Sequence, residues 1–182
     1  YLDCDICVKG DVSKLYNTPI KGYKLAGVSD QFVALVPEFR KYTSTVLGVE
    51  ADDYINAGII LMNLNEFRKA KIQDTFIDLI KTYNFDSVAQ DQDYLNYLCR
   101  GKIKYLPNGW NKMPLETKAE GGLNLLHYNL FAKPWRNDTV YYEEHFWDVA
   151  KKSPYYDEIL KCKANFTEEK RLAKEQANGR IK

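Results

Sequence analysis

The chain opens on Tyr1-Leu2-Asp3-Cys4-Asp5-Ile6-Cys7-Val8, an apolar run carrying two carboxylates separated by one residue. In an extended strand, residues two apart share a face, so Asp3 and Asp5 converge while Cys4 points away. Carboxylates that close repel, and they are costly in apolar surroundings, a conflict that a divalent cation resolves. His127 is one of only two histidines, and it lies in His127-Tyr128-Asn129-Leu130-Phe131-Ala132-Lys133-Pro134-Trp135. Two carboxylates and an imidazole form a mixed oxygen and nitrogen donor set that suits Mn²⁺ better than Mg²⁺. Lys133 adds a mobile point charge suited to a phosphate. A cation together with a lysine offsets the charge that develops when a diphosphate departs. Asp91-Gln92-Asp93 is a second acidic cluster, although acidic residues also simply favour a helix N-terminus.

The elements that must position these groups alternate. Tyr1 to Val8 reads as a buried strand, Asp11 to Tyr16 as a short helix, and Tyr23 to Val28 as a second strand ending at Ser29-Asp30. Val36 to Asp53 reads as helix fragments and loop. Ile55 to Leu64 is the most hydrophobic segment; Gly58 within it weakens a helix and permits close backbone approach, so a buried strand is expected. Ile72, Phe76, Leu79, Ile80 and Tyr83 recur at helical spacing. A break follows at Asn84 to Ser87, and the next helix opens at Asp91-Gln92-Asp93. Lys102 to Leu106 alternates as a strand before a turn at Pro107-Asn108-Gly109. Leu123 to Tyr128 is a further strand with His127 near its end. Tyr141 to Leu160 reads as aromatic-rich helix interrupted at Ser153-Pro154, and from Thr167 the chain is polar and charged. Alternating strands and helices make a layered α/β domain, expected over residues 1–166 with a charged tail at 167–182.

Composition narrows the function. The 182 residues suit one domain, and 26 Lys+Arg against 25 Asp+Glu leave a net charge of +1. Nucleic-acid binding by a basic face is therefore not expected. No apolar run reaches the roughly 20 residues that cross a bilayer. Cys4, Cys7, Cys99 and Cys162 are too few and too scattered for a disulfide scaffold. Cys4-x-x-Cys7 sits in a strand, where residues three apart face opposite ways, so it reads as structural and the compartment as reducing.

Leu2-Asp3-x-Asp5, Tyr54-Ile55-Asn56-Ala57-Gly58-Ile59-Ile60-Leu61-Met62-Asn63-Leu64, Asp91-Gln92-Asp93 and His127-x5-Lys133-Pro134-Trp135 occur in that order. Together they resemble the successive motifs of glycosyltransferase family 8 up to about Trp135, with a looser likeness through the aromatic C-terminal helix. The resemblance implies a GT-A fold, Rossmann-like with a mixed sheet and flanking helices. It implies a retaining enzyme that moves a hexosyl group, glucose or galactose as first choices, from a UDP-sugar to an acceptor hydroxyl on a cell-surface glycan or lipooligosaccharide. Asp3, Asp5 and His127 would hold Mn²⁺, or Mg²⁺, against the diphosphate, with Lys133 beside it. Asn56 and Ala57 would line the donor pocket with Asp91 and Gln92, the latter near the reacting face, and Asp30 matches an acidic position close to the sugars. Asn111 falls where the family has an Asn in a similar turn. Family members usually carry glycine three residues after the metal-binding histidine; here that position is Leu130, for which a positive φ would be costly.

The same resemblance implies that the nucleotide-binding half of the fold precedes Tyr1. An isolated Tyr1 to Lys182 polypeptide is accordingly expected to bind UDP weakly and to be poorly soluble. The protein is expected in the cytoplasm, with peripheral contact at the inner membrane face open to the aromatic C-terminal region, although packing on the sheet also explains those aromatics. Two alternatives stand beside this reading. One is a haloacid-dehalogenase-like phosphohydrolase, which would use Asp52-Asp53 as its downstream acidic pair. The other is a non-catalytic binding module on the same fold.

Overall fold

The computed structural model describes residues 1–83, 87–166 and Lys170. The expected break at Asn84 to Ser87, except Ser87 itself, and the tail from Thr167, except Lys170, lie outside these residues.

Among the described residues, five short strands build two small sheets. β1 (Ile6–Val8) pairs antiparallel with β5 (Leu125–His127), placing Ile6 opposite His127. β2 (Leu25–Gly27) lies between β3 (Leu61–Met62), antiparallel, and β4 (Ile103–Tyr105), parallel. Isolated bridges tie the sheets together: Leu2 to Ile59, Ser29 to Ile55, and Lys112 to Leu126. The mixed α/β layering follows the alternating pattern of the sequence.

Helix starts are written locally. Asp11 caps α1 (Val12–Tyr16) by accepting from Ser13 N, and Asp30 caps α2 (Gln31–Leu35) by accepting from Phe32 and Val33 N. Pro37 opens α3 (Pro37–Tyr42), and the chain passes through a π-helical turn at Thr43–Leu47 to Gly48, whose φ of 63° ends it. Asn63 caps α4 (Leu64–Lys69). The expected amphipathic helix is α5 (Ile72–Tyr83), and Gln90–Cys99 forms α6. α7 (Glu143–Ala150) and α8 (Tyr156–Ala164) flank the expected interruption at Ser153-Pro154.

Two expected strands are shorter than their apolar runs. Between Tyr54 and Gly58 the backbone divides its hydrogen bonds between side chains and single backbone contacts such as Asn56 N to Val28 O. Asn96 of α6 accepts from Ile55 N and donates to Ile55 O, Gln92 accepts from Ala57 N, and Asn56 folds back onto Gly58 N. A run so occupied cannot ladder, and regular pairing survives only at Leu61–Met62. Tyr1 to Val8 bends at Cys4 and Asp5, so the strand begins after the second aspartate. α5 also departs from its periodicity. Only Ile72 is buried, whereas Ile80 and Tyr83 stay exposed; Phe76 stacks edge-on against Tyr94 at 4.9 Å.

The aromatic C-terminal region packs inward. Trp135, Tyr142 and Phe146 cover Cys7, Leu126 and Tyr128, the back of the β1–β5 pair. All four cysteines are free, with Cys7 buried on β1 and Cys4 exposed in the bend before it, so their separation comes from the bend and not from strand faces. No helix among the described residues is long and apolar enough to cross a membrane.

Candidate functional site

Asp3 and Asp5 do converge, by a route other than strand pleat. Asp3 N donates to Gly58 O at 2.8 Å, which pins the segment before the bend. Asp5 directly precedes β1, and β1–β5 pairing carries His127 to both carboxylates. His127 Nε2 lies 3.1 Å from Asp5 Oδ1 and 3.6 Å from Asp3 Oδ2. The ligand atoms of the three residues fall within 4.8 Å of one another, the one such group of His, Cys, Asp and Glu among the described residues.

These residues fit a cation. Asp5 Oδ2 is held by Lys133 Nζ, which also donates to Tyr128 O. Asp5 Oδ1 is buried and receives no hydrogen bond, despite the nearby imidazole nitrogen. A buried orphan oxygen facing a ring nitrogen and a second carboxylate is a vacancy in the bonding pattern that a divalent ion completes. Burial by itself would raise the pKa of Asp5. The facing His127 ring and the Lys133 ammonium outweigh it and hold the carboxyl well below the ordinary carboxylate range.

Two neighbours shape this corner. A Cβ on Gly58 would fall 2.2 Å from His127 Cε1 and 2.7 Å from Asp3 Oδ2, so no side chain fits there. The close backbone approach expected at Gly58 is an approach to the imidazole. Tyr1, which carried no expectation, donates its hydroxyl to Asp3 Oδ1 at 2.6 Å, and that bond pushes its pKa up to about 12. The only signal for it was an aromatic two residues before the first aspartate.

The cluster opens on a cavity of about 310 Å³ that Asn56, Ala57, Asp91, Gln92 and Leu130 also line. Lys133 stands outside that lining, behind Asp5. Asp91 is exposed, while Gln92 is held at both ends, Oε1 by Ala57 N at 2.9 Å and Nε2 on Asp30 Oδ2 at 3.3 Å. Asp93 faces the other way. It is 1% exposed and accepts from the Tyr42, Tyr54 and Ser87 hydroxyls and from Ala89 N. Burial and the Asp93 carboxylate push the Tyr54 hydroxyl pKa far up. With four donors around it and its side chain buried, Asp93 is closed off and unavailable as a nucleophile.

Asp30 and Asn56 line the cavity yet are almost fully buried, and Asn111 is wholly so. Asn111 sits between Asn56 and His127, bonded to each. Leu130 adopts a φ of 50°, the left-handed conformation that glycine would take without strain, and is 46% exposed at the cavity wall. That conformation costs a leucine about 1 kcal/mol.

A second hollow of about 280 Å³, lined by Val46, Leu79, Tyr83 and Tyr97, lies on the Asp93 side of α6. It is almost entirely apolar, and its one carboxylate is already saturated. The polar cavity is therefore the candidate site. Asp52 does not belong to the metal-ligating group; it is exposed and paired with Arg40 at 3.2 Å, so the phosphohydrolase alternative finds no acidic pair.

Known proteins are similar to this chain in sequence and in fold. A Haemophilus influenzae protein whose glycosyltransferase name is itself provisional is 36% identical over 126 residues, covering 69% of this chain and 37% of that protein. The lipopolysaccharide 1,2-glucosyltransferase of Escherichia coli is 27% identical over 173 residues, covering 87% and 50%. Among solved structures, the galactosyltransferase LgtC with donor and acceptor sugar analogues superposes with a TM-score of 0.68 at 26% identity, covering 85% of this chain and 60% of LgtC. The bifunctional glycosyltransferase WbbM superposes with a TM-score of 0.70 at 21% identity, covering 90% and 34%. The chain thus spans about half or less of the curated relatives named here, and the shared architecture is the GT-A fold. The profile of glycosyl transferase family 8 matches residues 1–139, and the chain belongs to that family.

Proposed function

We propose that this chain carries the metal-binding and acceptor-side portion of a retaining hexosyltransferase that uses a UDP-sugar. The observation that carries the reading is the orphan Asp5 Oδ1, set among Asp3, His127 and Lys133 at the mouth of a polar cavity. Glucose or galactose is the proposed sugar, in keeping with the names of the E. coli and LgtC relatives, and a surface glycan or lipooligosaccharide the proposed acceptor. A divalent cation at Asp3, Asp5 and His127, Mn²⁺ before Mg²⁺, would neutralise charge on the departing diphosphate.

The chain's own groups supply the rest. Lys133 would give its ammonium to the same diphosphate, exchanging the Asp5 contact for a phosphate one. Asn56, Ala57 and Asp30 would bound the donor sugar. Gln92 cannot attack as a nucleophile, and its amide is held rigidly, which suits orienting the sugar at the reacting face. Asp93 is engaged elsewhere, leaving Asp91 as the exposed carboxylate of that cluster. We favour attack by the acceptor oxygen on the face the diphosphate leaves. The anomeric carbon–oxygen bond to phosphate breaks, the new glycosidic bond forms, and the acceptor proton passes to a phosphate oxygen. The protein is proposed to work in the cytoplasm, with any peripheral membrane contact made through exposed Tyr141, Val149, Tyr155 and Leu160.

The test is release of UDP from a panel of UDP-sugars by the natural full-length chain with Mn²⁺. Chelator-sensitive release from UDP-glucose or UDP-galactose is expected. Release that ignores the chelator, or none from any donor while Mn²⁺ is bound, refutes the reading. A glycosylated Asp91 trapped by rapid-quench mass spectrometry would replace same-face attack with double displacement.

A further inference from the structure

Four buried side chains link the candidate metal corner to the start of α2, and their polarity can be read without ambiguity. Gly58 N–H can only donate, so the Asn56 atom 3.0 Å from it is the oxygen. The other Asn56 terminus is then the NH₂ group, and it meets Asp30 Oδ2 at 3.0 Å, a carboxylate that can only accept. Both ends agree. Asn111 presents Nδ2 to Asn56 Oδ1 at 2.9 Å, which leaves its oxygen against His127 Nδ1 at 3.0 Å. An oxygen there requires Nδ1 to carry the proton. Nε2 then offers a lone pair to the corner that holds Asp3 and Asp5.

We infer that Asp30 is a positioning residue: acting through Asn56 and Asn111, it fixes the Nδ1–H tautomer of His127 and so keeps Nε2 free to ligate a metal. Asp30 is 4% exposed, and both its oxygens are engaged, Oδ1 by Phe32 and Val33 N and Oδ2 by Asn56 and Gln92. It therefore also clamps Gln92, so one carboxylate orients a residue on each side of the cavity. The inference deepens the proposed metal-dependent reaction and rests on it only for the metal.

Asp30→Asn is the discriminating variant because asparagine caps a helix as well as aspartate does. With its oxygen kept on Phe32 and Val33, it turns NH₂ toward Asn56. Asn56 and then Asn111 flip to meet it, at the cost of the Gly58 N–H bond to Asn56, and Nδ1 becomes an acceptor. The double variant Asp30→Asn, Asn56→Asp exchanges carboxylate and amide and restores the original direction at Asn111. His145→Gln removes the second histidine signal.

Nitrogen-15 spectra of metal-free protein, in buffer alkaline enough to keep the imidazole neutral, read the tautomer directly. Mn²⁺ titration by electron paramagnetic resonance reads the consequence. Expected are Nδ1–H in wild type, a shift to Nε2–H with a tenfold to hundredfold weaker Mn²⁺ affinity in Asp30→Asn, and recovery of both in the double variant. Because the swap does not restore the Gln92 contact, turnover should stay impaired there. Asn111→Ala, which removes the acceptor from Nδ1, carries the same expectation if Asp30→Asn fails to fold. An Nε2–H tautomer in wild type, or folded Asp30→Asn with tautomer and affinity unchanged, overturns the inference. Wild type that binds no Mn²⁺ removes the metal reading alone, since the tautomer shift decides the relay without it.

Discussion

Two buried or half-buried acidic regions lie on either side of the N-terminus of α6, and they are finished differently. Asp93 has four donors around it and Asp30 has four, so each carboxylate is closed by the protein itself. At the Asp3–Asp5 corner the protein stops short: Oδ1 of Asp5 is buried without a bond, and three ligand atoms face a common point. A satisfied buried carboxylate holds structure together, whereas an unsatisfied one costs stability that only a ligand returns. Acidic residues that look equivalent in the sequence therefore separate by their hydrogen-bond balance.

The sharpest test removes one carboxylate from the open corner. Asp5→Ala should lower Mn²⁺ affinity about a hundredfold or more and abolish turnover, and the metal-free protein should also melt lower than wild type because Lys133 loses its carboxylate partner. Calorimetric titration and a thermal scan read the two halves; unchanged Mn²⁺ affinity would mean that the corner is not the metal site. The matching change in the closed region should act mainly on stability. Asp93→Ala strands the Tyr42 and Tyr54 hydroxyls and should cost about 3 kcal/mol in urea unfolding. If it instead kept full stability and lost turnover, Asp93 would be chemical and the comparison would break.

A buried cation sharpens the contrast from the opposite sign. Lys112 is wholly buried with no carboxylate beside it, and its ammonium donates to Met113 O, Leu115 O and Thr117 Oγ1. Burial lowers its pKa from 10.5 to about 8. Between those values the unfolded chain binds a proton that the folded one has released, so folding stability should rise with pH across that window. Relative to Lys112→Met, wild type should gain stability from about pH 8 upward; a gain lost in that range would mean that the ammonium is better paired than its neighbours suggest.

The smallest effect concerns backbone at the open corner. Leu130 holds a φ of 50° at the cavity wall. Leu130→Gly should relieve the strain and raise stability by up to about 1 kcal/mol, whereas Leu130→Ala should not. Equal unfolding midpoints for the two variants would show that the wall conformation carries no strain.

Much of this protein was legible in its residues alone, because the signals are local. The short helix after Asp11, the helix from Ile72 to Tyr83 and the interruption at Ser153-Pro154 each depend on neighbours within a few turns of chain. Motif order likewise identified the family, and the acidic pair with His127 named three residues whose ligand atoms the fold brings together. Tertiary structure decided what each acidic residue is for. Whether Asp93 or Asp91 could act depended on Tyr42 and Tyr54, 51 and 39 residues away. The strand expected from Ile55 to Leu64 was undone by Asn96 and Gln92, whose amides take its backbone bonds from another element. Asp3 and Asp5 converge through a bend and a strand pairing with residues over a hundred positions later, not through pleat. Hydrophobic period and capping are written in adjacent residues, but hydrogen-bond satisfaction is settled among residues that only folding brings together.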